Sequence, residues 1–85
     1  MESQKLLIID DDEEDRKLMK YHIETAELGF DIIHAKSGEE GIDLAQQSTP
    51  ALVIIDTKLP GMSGFGTCAK LRSLIGEKVK IIREF

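Results

Sequence analysis

The carboxylates that could do chemistry in this sequence follow two apolar runs. Asp10 and Asp11 come directly after residues 6–9, and Asp56 comes directly after residues 51–55. Unbroken apolar runs rich in β-branched residues are typical of short strands that are buried on both faces of a parallel sheet. Open sheets of this kind bind ligands at the carboxyl ends of their strands. The two runs therefore predict that the aspartates lie at a ligand-binding edge.

Three carboxylates in one small pocket repel one another unless a cation lies among them or one of their pKa values rises. Ligands that are all oxygen favour a hard ion, Mg²⁺ above all or Mn²⁺. A carboxylate held beside Mg²⁺ is also placed to attack a phosphoryl group, because the metal offsets the charge on the phosphoryl oxygens. The set of Asp10, Asp11 and Asp56 is thus a candidate metal site that could support phosphoryl transfer.

Seven alternating elements are predicted to position these carboxylates. Strands are expected at about residues 5–10, 30–35, 51–55 and 79–82, and helices at about 14–27, 38–48 and 64–75. Alternation with short connections predicts a parallel sheet with right-handed crossovers. The first and third strands are the most apolar, so we expect them side by side in the middle of the sheet. Their carboxyl ends would then bring the three aspartates together.

Two of the helices carry recognisable start signals. Ser37 and Glu40 match a capping box, which satisfies backbone donors at the start of the second helix. Ser63 is the predicted cap of the third helix. An apolar stripe at spacings of three residues is expected to face the core from the third helix: Phe65, Cys68, Leu71 and Leu74.

The first helix is predicted from five residues at helical spacing: Leu18, Met19, His22, Ile23 and Ala26. Two histidines could in principle bind metal. His22 is expected beside the core on this helix, and His34 lies on the second strand. Neither has a partner at ligand spacing, so we interpret both as structural residues with satisfied hydrogen bonds.

Composition limits the classes of protein to which this chain can belong. Its 85 residues make one small domain, residues 1–85, and the net charge of −5 argues against nucleic acid or an anionic membrane as a direct partner. No apolar run approaches the length that spans a membrane, and the N-terminus lacks the pattern of a signal peptide. One cysteine, Cys68, permits no internal disulfide, so we expect a cytoplasmic protein.

Two separated motifs give the sequence a family resemblance. Residues 8–12, Ile-Ile-Asp-Asp-Asp, are followed by Arg16, and residues 53–64 read Val-Ile-Ile-Asp-Thr-Lys-Leu-Pro-Gly-Met-Ser-Gly. Together they resemble the signature of bacterial response-regulator receiver domains, and the resemblance extends from about Lys5 to Ile82. It implies a flavodoxin-like, doubly wound α/β fold with a parallel sheet. Complete folds of this kind have the strand order 2-1-3-4-5.

The resemblance also implies roles for individual residues. Asp56 would be the phospho-acceptor, Asp11 a direct Mg²⁺ ligand, and Asp10 a ligand that acts mostly through water. The backbone carbonyl of Lys58 would be a third protein ligand. The phosphoryl donor would be a histidine of a sensor kinase or of a phosphotransfer protein, and the chain itself would not be an enzyme.

The sequence departs from this family after the fourth strand. Family members place a Ser or Thr at the tip of that strand and a Lys at the tip of a fifth strand, and both contact the phosphoryl group. Here residues 83–85 are Arg, Glu and Phe. The fourth helix, fifth strand and fifth helix have no counterpart, so the expected fold is an incomplete receiver, whether fragment, truncated product or engineered chain. Phosphorylation of Asp56 is expected to be slow or undetectable.

Two other functions remain open on the residues alone. The chain could be a receiver fragment that only associates, perhaps with itself, without phosphoryl chemistry. It could also be a Mg²⁺-dependent phosphatase of the haloacid dehalogenase type, which uses an Asp nucleophile at a strand end. That phosphatase motif requires a second Asp two residues after the first, and Lys58 stands there, which weighs against it.

The predicted fourth strand leads to an expectation about assembly. It would be an edge strand with unpaired backbone groups along Val79, Ile81 and Ile82. We also expect apolar side chains of the first and third strands to be exposed on the sheet face beside the first helix. A symmetric dimer, formed by edge pairing or by exchange of an element, would bury both defects. Lys78 and Lys80 would oppose that pairing only in part.

Overall fold

Strands and helices alternate along the chain as predicted. The structure, a computed structural model, describes residues 4–56, 59, 64–76 and 79–84. The strands are β1 (Lys5–Ile9), β2 (Asp31–Ala35), β3 (Leu52–Asp56) and β4 (Lys80–Glu84), and the helices are α1 (Glu13–Thr25), α2 (Gly38–Gln47) and α3 (Gly64–Ile75). β4 ends two residues later than expected. The predicted cap Ser63 lies outside the described residues.

The four strands form one parallel sheet in the order β2-β1-β3-β4. The two most apolar strands, β1 and β3, are therefore neighbours in the middle, as predicted. Leu6 pairs with Leu52 and Ile9 with Ile55, so the two strands run in step along their whole length. Because they are in step, the residues that follow β1 lie at the same edge of the sheet as the end of β3.

One face of the sheet packs against α2 and α3. Alternate residues of the strands point to this face and join the two helices in the buried core: Leu7, Ile9, Ala35, Ile42, Ala45, Val53, Ile55, Leu59, Leu71 and Val79. The helix α2 approaches β1 closely at Gly41, where an added Cβ would collide with the buried side chain of Ile9. This close contact determines where α2 packs along β1, the strand that precedes Asp10 and Asp11.

The opposite face lies beside α1, which a right-handed crossover from β1 to β2 places there. The prediction that β1 would be exposed on this face is wrong, because Leu6 and Ile8 are fully buried. For β3 the expectation holds in part, since Leu52 and Ile54 are only half-buried. Ile82 of β4 is 46% exposed. Cover on this face therefore decreases from β1 towards β4.

The predicted apolar stripe of α3 is wrong at both ends. Phe65 is 55% exposed and Leu74 is 41% exposed, whereas Leu71 is fully buried. Phe65 and Leu74 are nine positions apart, which is two and a half turns at about 3.6 residues per turn, so the two side chains lie on opposite sides of the helix. The buried face instead follows Gly64, Thr67 and Leu71.

The buried face of α1 also differs from the prediction. Met19 and Ile23 are partly buried as expected, but Leu18 is 56% exposed, and His22 is exposed rather than beside the core. Arg16 is the buried residue of this helix. The sequence pattern missed it because a long cationic side chain can bury its stem and still satisfy its head with hydrogen bonds.

The capping box of α2 is confirmed with one difference in its partners. The Glu40 backbone N–H donates to Ser37 Oγ over 3.1 Å, as the motif requires. The Glu40 carboxylate accepts from the N–H of Lys36, at 3.2 Å, which is one residue before the cap. In the described part of the chain, none of the helices combines the length and apolar character needed to cross a membrane.

Candidate metal centre

Three carboxylates converge at the carboxyl edge of the sheet. Asp10 and Asp11 follow β1, and Asp56 ends β3. One oxygen from each can be chosen so that all three lie within 4.8 Å of one another. The prediction that the strand ends bring these residues together is confirmed. Opposite ligands of an octahedral Mg²⁺ are about 4 Å apart, so small side-chain movements would let the three oxygens share one ion.

Asp10 is held by three hydrogen bonds. Its backbone N–H donates to the carbonyl of Ala35, at the end of β2, over 3.1 Å. Its own carbonyl accepts a hydrogen bond from Arg16 Nη1 at 2.6 Å. Its carboxylate Oδ1 accepts from the N–H of Asp12 at 2.9 Å. These three bonds tie the residue to β2, to α1 and to the turn that joins β1 and α1.

Arg16 therefore positions the acidic turn, which is a role that the sequence did not reveal. In the sequence, Arg16 appears only as part of the resemblance to receiver domains. The residue is 8% exposed, and its guanidinium reaches back six residues to the Asp10 carbonyl. Nothing in the local pattern signals this contact, because an arginine in the first turns of a helix is ordinary.

The neighbouring carboxylates stabilise the start of α1. Asp12 is the N-cap, and its Oδ1 accepts from the N–H groups of Glu14 at 2.9 Å and Asp15 at 3.4 Å. Negative side chains at this end of a helix also suit its dipole. These bonds show that Asp12 serves the start of the helix.

Burial and repulsion act together on Asp10. The residue is 2% exposed, and burial raises the pKa of its carboxyl above the ordinary value of 3.8. Repulsion from Asp56, Asp15 and Asp11 raises the pKa further, while the hydrogen bond from the Asp12 N–H lowers it. A divalent cation at this position would offset the repulsion between the carboxylates. The donor set, all carboxylate oxygen, is one that suits Mg²⁺ or Mn²⁺.

The other two carboxylates are more accessible. Asp11 is exposed, and Asp56 is half-buried at the end of β3. Access of this kind leaves room for an ion and for a second molecule to approach Asp56. Lys58, whose backbone carbonyl was predicted as a further ligand, lies outside the described residues.

In a comparison with curated proteins, the sequence is similar to part of several transcriptional regulators. It is 36% identical over 70 residues to the alkaline phosphatase synthesis transcriptional regulatory protein PhoP of Bacillus subtilis. It is also 36% identical over 70 residues to the transcriptional regulatory protein SrrA of Staphylococcus aureus. Each alignment covers 82% of this chain and 28% of the relative, so the chain spans little more than a quarter of these proteins.

A solved structure and a family model identify the fold and the family of the matched region. A response regulator receiver domain protein (CheY-like) from Methanospirillum hungatei superposes with a TM-score of 0.80 at 34% identity, over 93% of this chain and 62% of that one. The sequence model of the response regulator receiver domain matches residues 6–83, which include all three converging aspartates. The four-stranded parallel sheet with helices on both faces matches part of the fold of these proteins, covering 62% of the solved chain, so the prediction of an incomplete receiver fold is confirmed. The chain belongs to the response regulator receiver domain family.

Proposed function

We propose that this chain accepts a phosphoryl group on Asp56 within a two-component phosphorelay. The observation that carries the proposal is the convergence of Asp10, Asp11 and Asp56 within 4.8 Å at the strand ends. A half-buried carboxylate beside two others is a nucleophile with a site for a divalent cation next to it. Family membership supports this function over the phosphatase alternative.

The step is a transfer between two side chains. An Asp56 carboxylate oxygen forms a bond to phosphorus while the bond from phosphorus to the donor imidazole nitrogen breaks. The electron pair stays on that nitrogen, and the product is an acyl phosphate on this chain. Mg²⁺ held by Asp10, Asp11 and Asp56 would offset negative charge on the phosphoryl oxygens. The chain is consumed as the acceptor rather than turning over as an enzyme.

Neighbouring residues orient Asp10 before the phosphoryl donor binds. Arg16 and the Ala35 carbonyl hold the backbone of Asp10, so its carboxylate faces the site without needing to reorganise. The Asp12 N–H keeps one oxygen of Asp10 oriented. A site prepared in this way places the ligands for a cation at the strand ends, where Asp56 is also found.

The donor we propose is the phosphohistidine of a sensor histidine kinase or of a histidine phosphotransfer protein. The named relatives are transcriptional regulators, and this chain matches only the receiver portion of their length. A single cysteine and a net charge of −5 support a cytoplasmic setting without direct contact to nucleic acid.

Phosphorylation can be tested by incubating the 85-residue chain with acetyl phosphate and Mg²⁺ and reading its intact mass. We expect a slow gain of one phosphoryl group that the variant Asp56→Asn abolishes. Labelling should be slow because residues 83–85 supply no hydroxyl. Preorganised donors at comparable oxyanion sites are worth about 2.7–4 kcal/mol each.

The matched control for this experiment is Asp43→Asn, because Asp43 is an exposed residue of α2 and is not one of the three converging aspartates. It should be labelled at the rate of the unaltered protein. Labelling that persists in Asp56→Asn would assign the acceptor elsewhere. A chain that is never labelled, even by a phosphorylated histidine protein, would leave the self-associating fragment as the better account.

We also propose that the chain forms a homodimer through β4 and the sheet face beside α1. In the described residues β4 is an edge strand, because it pairs with β3 alone. Ile82 is 46% exposed on this face, and Leu52 and Ile54 beside it are half-buried. Edge pairing between two copies would satisfy backbone groups and bury these side chains at the same time.

A further inference from the structure

A pocket lies on the α1 side of the sheet and shares Arg16 with the acidic site. It has a volume of about 250 Å³ and is lined by Glu13, Arg16, Lys17 and Lys20 of α1 and by His34 of β2. None of the three converging aspartates is among these lining residues. The pocket is therefore distinct from the three carboxylates, and the function proposed above uses only one of its residues, Arg16, which holds the backbone of Asp10.

The charge of this pocket is opposite to that of the whole chain. Three of its five lining residues are cationic, although the net charge of the protein is −5. Lys17 forms an ion pair with Glu13 at 3.4 Å, which neutralises both. Two positive charges are left over, those of Arg16 and Lys20. Arg16 donates one hydrogen bond to the Asp10 carbonyl, and the Lys20 ammonium has no hydrogen bond or ion pair with any residue that the structure describes.

His34 adds unused hydrogen-bonding capacity to the pocket. Its Nδ1 is buried and has no hydrogen-bond partner among the described residues. The prediction of a satisfied structural histidine is therefore wrong for His34. Burial lowers the pKa of the imidazole, and the nearby charges of Lys20 and Arg16 lower it further. Residues of this type, two unmatched cations and an imidazole around a cavity, are suited to an anion.

We propose that this pocket binds a small phosphate monoester through Arg16, Lys20 and His34. A dianion matches the two cations that have no counter-charge within the lining. The volume leaves room beside the phosphate for a small organic group, since it lies just below the range of about 300–1,000 Å³ that is usual for sites of drug-sized ligands. Arg16 would then join the bound anion to the carbonyl of Asp10.

Binding can be measured by NMR titration of the 85-residue chain with inorganic phosphate and with glycerol 3-phosphate. Chloride would hold the ionic strength constant, and EDTA would prevent binding through metal at the aspartates. We expect saturable shifts confined to α1 and His34, with glycerol 3-phosphate binding at least as tightly as phosphate. Acetate, a monoanion, should bind at least tenfold more weakly. Equal binding of acetate, or weaker binding of the ester than of phosphate, would overturn the assignment.

Two pairs of variants separate this site from general attraction to surface charge. Lys20→Gln should weaken phosphate binding at least fivefold, whereas Lys70→Gln, an exposed lysine of α3, should leave it unchanged. Glu13→Gln should strengthen binding because it removes the one negative charge of the lining, whereas Glu24→Gln, further along α1, should not. Equal effects within either pair would show that the pocket is not the site.

His34 supplies a readout that a nonspecific anion would not change. Saturating phosphate should raise the pKa of the His34 imidazole measured from its ring protons, because the bound dianion offsets the repulsion by Lys20 and Arg16. The pKa of His22, which is exposed and lies outside the lining, serves as the internal control. Asp56→Asn should bind phosphate normally, so failure of the phosphoacceptor function would not affect this result. An unchanged His34 pKa at saturation would refute the proposal.

Discussion

Asp10 combines two properties that oppose one another. Its carboxyl is buried among other carboxylates, which disfavours the charged form, yet its backbone is fixed by Arg16 and Ala35 so that the carboxyl cannot move away. A protein that only needed a stable fold would gain from an uncharged residue here. The cost of the buried charge is explained if the position serves to hold a cation.

The substitution Asp10→Asn should stabilise the metal-free protein at neutral pH. The amide keeps an oxygen that can accept from the Asp12 N–H, but it removes the buried charge. We expect a gain of about 0.5–2 kcal/mol in the free energy of unfolding, a size common for stabilising substitutions. Denaturant unfolding in EDTA would measure it, and Asp43→Asn is the control on an exposed carboxylate.

The pH dependence of this gain follows from the direction of the Asp10 pKa shift. Because its pKa is raised on folding, the folded protein binds the proton more readily than the unfolded chain between 3.8 and the raised pKa. Asp10 therefore costs stability as the pH rises through that window, and the advantage of Asp10→Asn should shrink as the pH is lowered towards 3.8. An advantage that is constant with pH would mean that charge is not its cause. Saturating Mg²⁺ should reverse the order of the two proteins.

Asp11 gives the direct test of metal binding. It is exposed, so Asp11→Ala should disturb the fold little while removing one of three ligand oxygens. We expect Mg²⁺ or Mn²⁺ affinity to fall at least tenfold in a calorimetric titration, with Asp43→Ala unchanged. If Asp11→Ala binds the ion as tightly as the unaltered chain, the convergence of the strand ends does not make a metal site.

At the scale of single elements, continuous apolar runs proved more informative than helical patterns. β1 and β3 were predictable because such runs, ended by aspartates, have one natural position in an α/β sheet, and their parallel pairing then dictates where the carboxylates meet. The buried face of α3 was not predictable from a spacing of three, which winds around the helix. The pairing of Arg16 with a carbonyl and the lack of a partner for His34 Nδ1 depend on packing between elements.

A residue just after α1 has a strained backbone conformation. Glu27 has a φ of 54°, in the left-handed region where residues other than glycine are strained by about 1–2 kcal/mol. Glycine is free of that strain but loses about 0.5–1 kcal/mol through its flexibility in the unfolded chain. We therefore expect Glu27→Gly to stabilise the protein by about 0.5–1 kcal/mol in thermal or denaturant unfolding.

The control for this prediction is the same substitution three residues earlier. Glu24 lies within α1, where glycine costs about 0.5–1 kcal/mol, so Glu24→Gly should destabilise the protein. Opposite signs for the two variants would establish the backbone as the cause. Destabilisation by both would mean that the Glu27 side chain contributes more than its backbone strain costs.

At the scale of the whole molecule, we expect the partly covered sheet face to determine the oligomeric state. We expect analytical ultracentrifugation to show a dimer at micromolar concentration. Ile82→Lys should raise its dissociation constant at least tenfold, because it places a charge on the exposed part of this face. Leu28→Lys is the matched control, since Leu28 is also exposed but lies in the connection between α1 and β2. A cooperatively folded monomer at these concentrations would contradict the prediction.

The central place of β1 in the sheet has a consequence for how the protein is made. A ribosome releases this strand first, but the strand pairs on one side with β2 and on the other with β3, where the partner of Leu6 is Leu52. Parallel pairing over so many intervening residues is slow to form, because a long loop must close before any contact rewards it. The apolar strand β1 thus stays unpaired on one side until β3 has emerged from the ribosome. Nascent chains arrested before β3 has emerged should be held by chaperones, and chains arrested after β3 has emerged should escape them.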